Sequence, residues 1–133
     1  MTGYLMGLPA FLAWFGCGAA LMAAFVFIYT RITAHDEMKL IREGNVSAAI
    51  ALAGALVGFS LPLGSAAANT VTVKEFVIWA VIGMIVQLLA YLAARLLIPG
   101  LSAKIAEKNV AASIWAAGIA ISVGILNADC MTY

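Results

Sequence analysis

The sequence has 133 residues, of which 65% are hydrophobic and 10% are charged, and its formal net charge is +1. Because a soluble domain carries roughly 25% charged residues to wet its surface, this composition argues against a water-soluble protein. The near-neutral charge, without a basic stripe, argues against nucleic acid as a partner. The two cysteines, Cys17 and Cys130, do not provide the disulfide framework of a secreted domain.

Four stretches of the chain are long and apolar enough to cross a bilayer, whose core of about 30 Å needs roughly 20 helical residues. In chain order, they cover residues 8–30, 46–68, 76–98 and 110–127. The first lacks a positive n-region and is too long for a signal-peptide core, so we interpret it as a retained span. The sequence therefore predicts an all-α membrane protein with four transmembrane helices in a single membrane domain, residues 1–133.

The basic residues orient this predicted bundle. All but one of the seven Lys and Arg residues lie in or beside two linkers, residues 31–45 and 99–109. The exception is Lys74, in the linker of residues 69–75. Since Lys and Arg accumulate on the cytoplasmic side of membrane proteins, we expect the two longer linkers inside and both termini outside the cytoplasm.

The two halves of the sequence resemble each other. Residues 31–54 align with residues 95–118 at a constant offset of 64 residues. The matched polar pairs are Arg31/Arg95, Glu43/Glu107 and Asn45/Asn109, and the matched small residues include Gly54/Gly118. Arg, Glu and Asn are not ordinary membrane filler, so their coincidence indicates a true repeat. We expect two parallel two-helix repeats, residues 1–68 and 69–133, related by a pseudo-two-fold axis along the membrane normal.

A resemblance to a known family is carried by three segments, HDEMKLIREGNVSAAIALAGALVGFSLPL, EKNVAAS and LNADCMTY. The chain resembles the YjfL-type family of small bacterial inner-membrane proteins over essentially its whole length. The resemblance implies a four-span protein of the bacterial inner membrane and supplies no substrate, cofactor or catalytic residue. Genes of some relatives lie beside membrane-stress or polyamine-related genes, which implies a link to membrane stress or envelope maintenance.

Acidic and amide side chains precede the second and fourth spans. Asn45 and Asn109 can each cap the following helix, and Glu43 and Glu107 gain from the positive end of that helix. We favour this interpretation over a ring of acids at the cytoplasmic mouth of a pore. His35, the single histidine, could join such a mouth as a proton sensor. Three adjacent polar residues rarely converge on one metal ion, and the neighbouring aspartate can equally cap a short interfacial helix, so we expect no metal.

A polar stripe runs along the third span. Gln87 lies near the middle of the span, and Tyr91 and Arg95 follow at four-residue intervals on the same face. Gln87 is either a hydrogen-bonding contact between helices or part of a hydrophilic path, and the two interpretations are equally supported. Pro62, which breaks a backbone hydrogen bond in the second span, and Asn127, near the end of the fourth, are candidates for the same path.

Glycines at four-residue spacing predict close helix packing. Gly54 and Gly58 permit two backbones to approach, and Gly118 holds the position in the second half that Gly54 holds in the first. We expect the Gly54/Gly58 face to join copies of the chain in a homo-oligomer.

No nucleophile–base set, phosphate-binding loop or Cys/His cluster is present in the sequence, so we expect neither an enzyme nor a cofactor. Two functions remain open. The first is a structural or adaptor subunit that engages a membrane or cytoplasmic partner through linkers 31–45 and 99–109. The alternative is a small channel or transporter for ions or small polar or cationic solutes. The first is slightly favoured, because the membrane interior lacks the acidic residue that many coupled carriers use.

Overall fold

The computed structural model describes residues 7–33 and 37–131. These residues form four long helices, α1 (Leu8–Ile32), α3 (Val46–Asn69), α4 (Val73–Leu97) and α6 (Val110–Cys130). Two short helices, α2 (Glu37–Arg42) and α5 (Leu101–Ala106), lie in the longer linkers. Each long helix has the length and hydropathy of a membrane span, and no strand occurs in the described ranges. The prediction of an all-α protein with four transmembrane helices is confirmed.

The starts of the long helices follow from local chemistry. Asn45 caps α3 by accepting a hydrogen bond from the amide of Ala48 at 3.0 Å. Thr72 caps α4 by accepting from the amide of Glu75 at 3.2 Å, which starts α4 at Val73 rather than at the predicted residue 76. The hydropathy pattern missed this extra turn because capping residues are polar and lie outside the apolar core.

The two turns that lead into α3 and α6 share one geometry. Gly44 and Lys108 both have left-handed backbones, with φ of 82° and 66°. In each turn, the amide of the next residue, Asn45 or Asn109, donates to the carbonyl oxygen five residues earlier, as in a Schellman motif. Shifted by 64 residues, the bounds of α2 coincide with those of α5, and α3 begins where α6 begins. We call the end of the bundle that carries α2 and α5 the linker end.

The parallel pair α3 and α6 forms the centre of the bundle. A Cβ on Gly54 would collide with Ala117, and a Cβ on Gly58 would stand 2.5 Å from the Ala120 carbonyl oxygen. Gly124 in turn lies against the Gly58 carbonyl. Helices α3 and α6 therefore approach each other to backbone contact. Helix α4 packs beside them, against both members of the pair.

This packing corrects two predictions about the glycines. The Gly54/Gly58 face is covered by α6 of the same chain, so it cannot also be the surface that joins copies in a homo-oligomer. Gly118 is exposed, and a Cβ there would have no heavy atom of the described chain within 4 Å. The spacing of small residues signals a close contact, but it does not identify the partner helix.

Helix α1 is the outlying member of the bundle. It packs on α3 and α4, on the side of that pair opposite to α6. Only 6% of its most apolar window is buried, compared with 50% for α3. Phe25 stacks on Phe59 with ring centroids 4.7 Å apart, and Trp14 stacks on Phe76 at 5.2 Å. These aromatic contacts hold α1 in place at two levels.

Candidate functional site: an amide cluster at the centre of the bundle

Two buried amide side chains join α4 to α6. The Gln87 Nε2 donates to the Ala120 carbonyl oxygen at 3.0 Å. The Asn127 Nδ2 donates to the Gly83 carbonyl oxygen at 3.1 Å and to the Gln87 Oε1 at 3.4 Å. Gln87 is 3% exposed and Asn127 8% exposed, so these bonds form away from lipid. Buried amides in an apolar environment require such partners.

The position in α3 where a backbone hydrogen bond is missing faces this amide cluster. Pro62 has no N–H, so the Gly58 carbonyl oxygen lacks its usual helical donor. Pro62 packs 3.2 Å from the position of a Cβ on Gly83, and the same position lies 3.6 Å from the Asn127 Nδ2. Three helices therefore meet here through carbonyl oxygens and amides. The cluster is uncharged, so it can form hydrogen bonds and, if the amide NH₂ groups turned away, present oxygens to a cation.

The predicted polar path is divided by the structure. Gln87, Asn127 and Pro62 come together, but Tyr91 and Arg95 do not join them. The Tyr91 hydroxyl pairs with the Ser102 hydroxyl of α5, and its ring meets the edge of Tyr29 on α1. Arg95 is exposed on the surface of α4. The stripe changes environment because α4 packs on α6 at one level and on α5 and α1 at another.

The linker end brings the two capping asparagines into different environments. Asn45 is buried and donates from its Nδ2 to the Ala106 carbonyl oxygen at 3.1 Å, in addition to capping α3. Asn109 caps α6 by accepting from the amide of Ala112 at 3.2 Å, but it is exposed. The Ser47 hydroxyl donates to the Asn109 carbonyl oxygen at 2.9 Å, so the starts of α3 and α6 lie side by side.

The charged residues of the predicted mouth lie at the surface. Glu43 and Glu107 are both exposed, directly after α2 and α5. Within residues 7–33 and 37–131, neither glutamate is paired with Arg31 or Arg95. Arg31 instead lies over the Phe27 ring, 4.7 Å from its centroid. The fifth residue of the predicted mouth, His35, lies outside the described residues.

Sequence reasoning missed several contacts that hold the site. Ser65 donates from its hydroxyl to the Ala128 carbonyl oxygen at 2.8 Å, one turn beyond the amide cluster. The indole N–H of Trp115 donates to the Ala94 carbonyl oxygen at 3.4 Å. Serine and tryptophan also occur on lipid-facing surfaces, so their presence does not predict a contact between helices. The single signal in the sequence was the position of a polar serine near the end of a span.

No group of three or more His, Cys, Asp or Glu side chains in the described part of the chain is arranged to hold a metal ion. Both cysteines are free, with Cys17 half-buried in α1 and Cys130 exposed at the end of α6.

The fold and the site together define a multi-pass membrane protein with four spans and an uncharged polar centre. The chain belongs to the family described as Domain of Unknown Function (DUF350), whose model matches residues 3–131. It is 42% identical to the UPF0719 inner membrane protein YjfL of Escherichia coli K12 over 129 residues, which are 97% of this chain and 98% of the relative. The same protein of Escherichia coli O157:H7 matches equally.

No solved structure matches the chain. The family resemblance predicted from the sequence is confirmed, and the protein is an inner-membrane protein.

Proposed function

We propose that the protein is a structural or adaptor subunit of the inner membrane. The observation that carries this proposal is the satisfaction of the central amides. Gln87 and Asn127 each donate to a backbone carbonyl of a neighbouring helix, and Ser65 does the same one turn away. Side chains used in this way join helices. A transport path would need them to exchange these partners for water or solute at every cycle.

The linker end supplies the surface through which the subunit would engage a partner. Leu101 and Ile105 are fully buried, so α5 is held firmly against the bundle. Lys104 and Lys108 are exposed beside them, and Arg42 is exposed at the end of α2. We propose that linkers 31–45 and 99–109 present these cations in the cytoplasm to a membrane or cytoplasmic protein partner, with both termini on the opposite side. Cations held on a firm base select acidic partners.

The tandem repeat is part of the same proposal. It is supported by the equivalent turns at Gly44 and Lys108 and by the coincidence of helix bounds after a shift of 64 residues. Parallel repeats place linkers 31–45 and 99–109 at one end, so a partner would contact both of them at once. A homo-oligomer also remains part of the proposal, through a surface other than the Gly54/Gly58 face.

A channel or transporter is the second candidate, and one observation favours it. The Gly58 carbonyl oxygen lacks its helical donor because of Pro62, and it lies at the level of the central amides. Carbonyl oxygens at helix breaks are used to coordinate cations in transporters. This candidate therefore predicts cation or proton flux that depends on Gln87.

Flux in liposomes separates the two candidates. Purified protein is reconstituted, and the movement of K⁺, Na⁺ and protons is followed with fluorescent indicators. A structural or adaptor subunit gives the same flux as protein-free liposomes. Flux that rises with the amount of protein and falls in the Gln87→Leu variant would replace the adaptor proposal with the transporter.

The adaptor role and its proposed link to envelope stress are tested in the host. A strain that lacks the gene is challenged with detergent or osmotic shock and complemented with variants. The Lys104→Glu/Lys108→Glu variant, with its orientation shown to be unchanged by a phosphatase fusion after Tyr133, should fold but fail to complement. The Lys74→Glu variant is the matched control, because Lys74 is exposed at the other end of the bundle, and it should complement. Equal complementation by both would contradict a role for the linkers.

A further inference from the structure

The face of α1 that corresponds to the buried face of α4 is exposed. The offset of 64 residues extends back into the first helices, since α1 and α4 coincide within one residue after the shift. Six buried residues of α4 have exposed counterparts on α1, and the pairs are Phe76/Leu12, Ala80/Gly16, Gly83/Ala19, Met84/Ala20, Gln87/Ala23 and Tyr91/Phe27. The two other buried residues of α4 have half-buried counterparts, Val26 and Thr30.

Helix α6 has an exposed face that matches it. Three buried residues of α3 contact α4: Pro62 packs at Gly83, Ala66 shares a buried cluster with Phe76 and Ala80, and Gly58, which mainly faces α6, also lies near the Gln87 amide. Their counterparts on α6 are Ser122, Leu126 and Cys130, and all three are exposed. The chain therefore also contains the two faces that would form the equivalent contact, one on α1 and one on α6. They do not meet within it, because α1 lies across the α3–α4 pair from α6.

We infer that α6 of one copy packs against α1 of a second copy, with Leu126 against Ala19 and Ser122 near Ala23. This inference rests on the tandem repeat proposed above and holds whether the protein is an adaptor or a transporter. The two faces lie on opposite sides of the α3–α4 pair, so the contact is head-to-tail. Copies in a membrane share one orientation, and such a contact forms a ring about the membrane normal when the rotation between neighbours closes, and an open row when it does not.

The contact of Pro62 with Gly83 within the chain shows that two helices can pack this closely. In the contact between copies, α1 has room for residues larger than these two. Within the chain, Pro62 lies 3.2 Å from the position of a Cβ on Gly83. Between copies, Leu126 and Ala19 are each larger than those residues. Ala19, however, borders an apolar groove of about 430 Å³ between α1 and α3, with Gly64 on its far wall. The Leu126 side chain can enter this groove, which gives the contact the van der Waals packing that drives helix association in lipid.

Disulfide cross-linking tests the inference directly. Cysteines are placed singly, Ala19→Cys in one tagged copy and Leu126→Cys in a differently tagged copy, both with Cys17→Ser and Cys130→Ser. Within the chain, the Pro62 Cβ lies 3.2 Å from the position that a Cβ on Gly83 would occupy, which is close to the roughly 3.5–4.5 Å that a disulfide needs. We expect a covalent pair that carries both tags. The control combines Leu126→Cys with Ile82→Cys, which lies next to Gly83 on the exposed face of α4, and should give no pair.

If the exposed faces of α1 and α6 are covered in another way, the cross-linking results will differ. Cross-linking of like with like, Ala19→Cys to itself or Leu126→Cys to itself, would mean a two-fold contact and overturn the head-to-tail arrangement. No cross-link in any combination, with single copies by light scattering in detergent and in nanodiscs, would mean that lipid or a different protein covers the faces, and would equally overturn the inference.

A substitution at the interface gives an independent test. Ala23 is exposed in the single chain, so Ala23→Leu should leave thermal unfolding of that chain unchanged. Between copies it should overpack against Ser122 and lower the Ala19–Leu126 cross-linked fraction about tenfold. Ile85→Leu on the exposed face of α4 is the matched control and should leave that fraction unchanged. An undiminished fraction in Ala23→Leu would contradict the inference.

Discussion

Asn127 on α6 and Gly83 on α4 are joined by a 3.1 Å hydrogen bond from the Asn127 amide to the Gly83 carbonyl oxygen. Because Gly83 has no side chain, Pro62 of α3 packs against the same point. The Asn127 amide also reaches the Gln87 Oε1, so one buried pair connects α4 to α6 at the level of Pro62 in α3. The energetics of this pair distinguish a structural contact from a solute path.

We expect Gln87→Leu to destabilise the protein by about 0.6–1.7 kcal/mol, from the average to the largest value measured for hydrogen bonds between helices in a membrane protein. The substitution removes the bond to the Ala120 carbonyl and deprives Asn127 of one acceptor. Unfolding in mixed detergent, followed by circular dichroism, measures the loss. Because the two amides share a bond, Gln87→Leu and Asn127→Leu should be non-additive in a double-mutant cycle. Additive losses would mean that the amides act independently.

Gly58→Ala should destabilise the bundle by about 1–3 kcal/mol, as overpacking does in a tightly packed core. Its added Cβ would stand 2.5 Å from the Ala120 carbonyl oxygen and 2.9 Å from the Gln87 Nε2. Gly118→Ala is the matched control, because that position faces open space. It should be neutral or gain up to about 1 kcal/mol from helix propensity. Thermal unfolding in detergent compares the two, and equal effects would contradict the assigned packing.

The sequence was a good guide to features that depend on hydropathy and local capping. The four spans were predicted to within about three residues, because a bilayer demands long apolar helices and Asn45 and Asn109 mark two of their starts. Gln87 was predicted to face protein or water, since lipid offers an amide no partner. Its burial against Ala120 agrees with this expectation.

The arrangement of the helices was not predictable in the same way. In lipid, the faces that contact protein and the faces that contact acyl chains are both apolar, so hydropathy does not distinguish them. Gly54 and Gly118 align at an offset of 64 residues, yet one is covered by α6 and the other is exposed. Which neighbour reaches a glycine depends on the packing of all the helices, and in particular on the displacement of α1 from α6.

Topology is tested with reporter fusions. Positive charge is retained in the cytoplasm, so a fusion at Lys39 should give an active cytoplasmic reporter, and alkaline phosphatase fused after Tyr133 should be active outside. The distribution of positive charge should determine the orientation of the protein. Replacing Arg42, Lys104 and Lys108 with Gln should increase the fraction of inverted molecules, whereas Lys74→Gln should not. Active phosphatase at Lys39 would refute the orientation.

The two exposed glutamates should behave as independent surface groups. Each glutamate follows the negative end of a short helix and precedes the positive end of a long one, so the two dipoles oppose each other, and Glu43→Gln and Glu107→Gln should each change stability by less than about 0.5 kcal/mol. The changes should add in the double variant, since the two glutamates are not joined by a described contact. Unfolding measurements at low salt test this. A double variant that loses ion flux far more than either single variant would instead indicate a shared mouth.

Asn45→Ala should cost more stability than Asn109→Ala, although the two residues are equivalent in sequence. Both variants lose a helix cap, which is worth about 1 kcal/mol. Asn45→Ala also removes the buried bond to the Ala106 carbonyl oxygen, which adds about 1 kcal/mol. Asn109 is exposed, and its backbone carbonyl, which accepts from Ser47, is kept in the alanine variant.

Three variants complete the comparison of these asparagines. Asn45→Asp keeps the cap but places a buried carboxylate oxygen against the Ala106 carbonyl oxygen, so it should destabilise at least as much as Asn45→Ala. Asn109→Asp should resemble the wild type, because an aspartate caps a helix as well as an asparagine does. Ser47→Ala should weaken the contact between the starts of α3 and α6 without affecting either cap. Equal losses in Asn45→Ala and Asn109→Ala would mean that the Asn45 side chain does not join the two halves, and that the linker end is symmetric in solution.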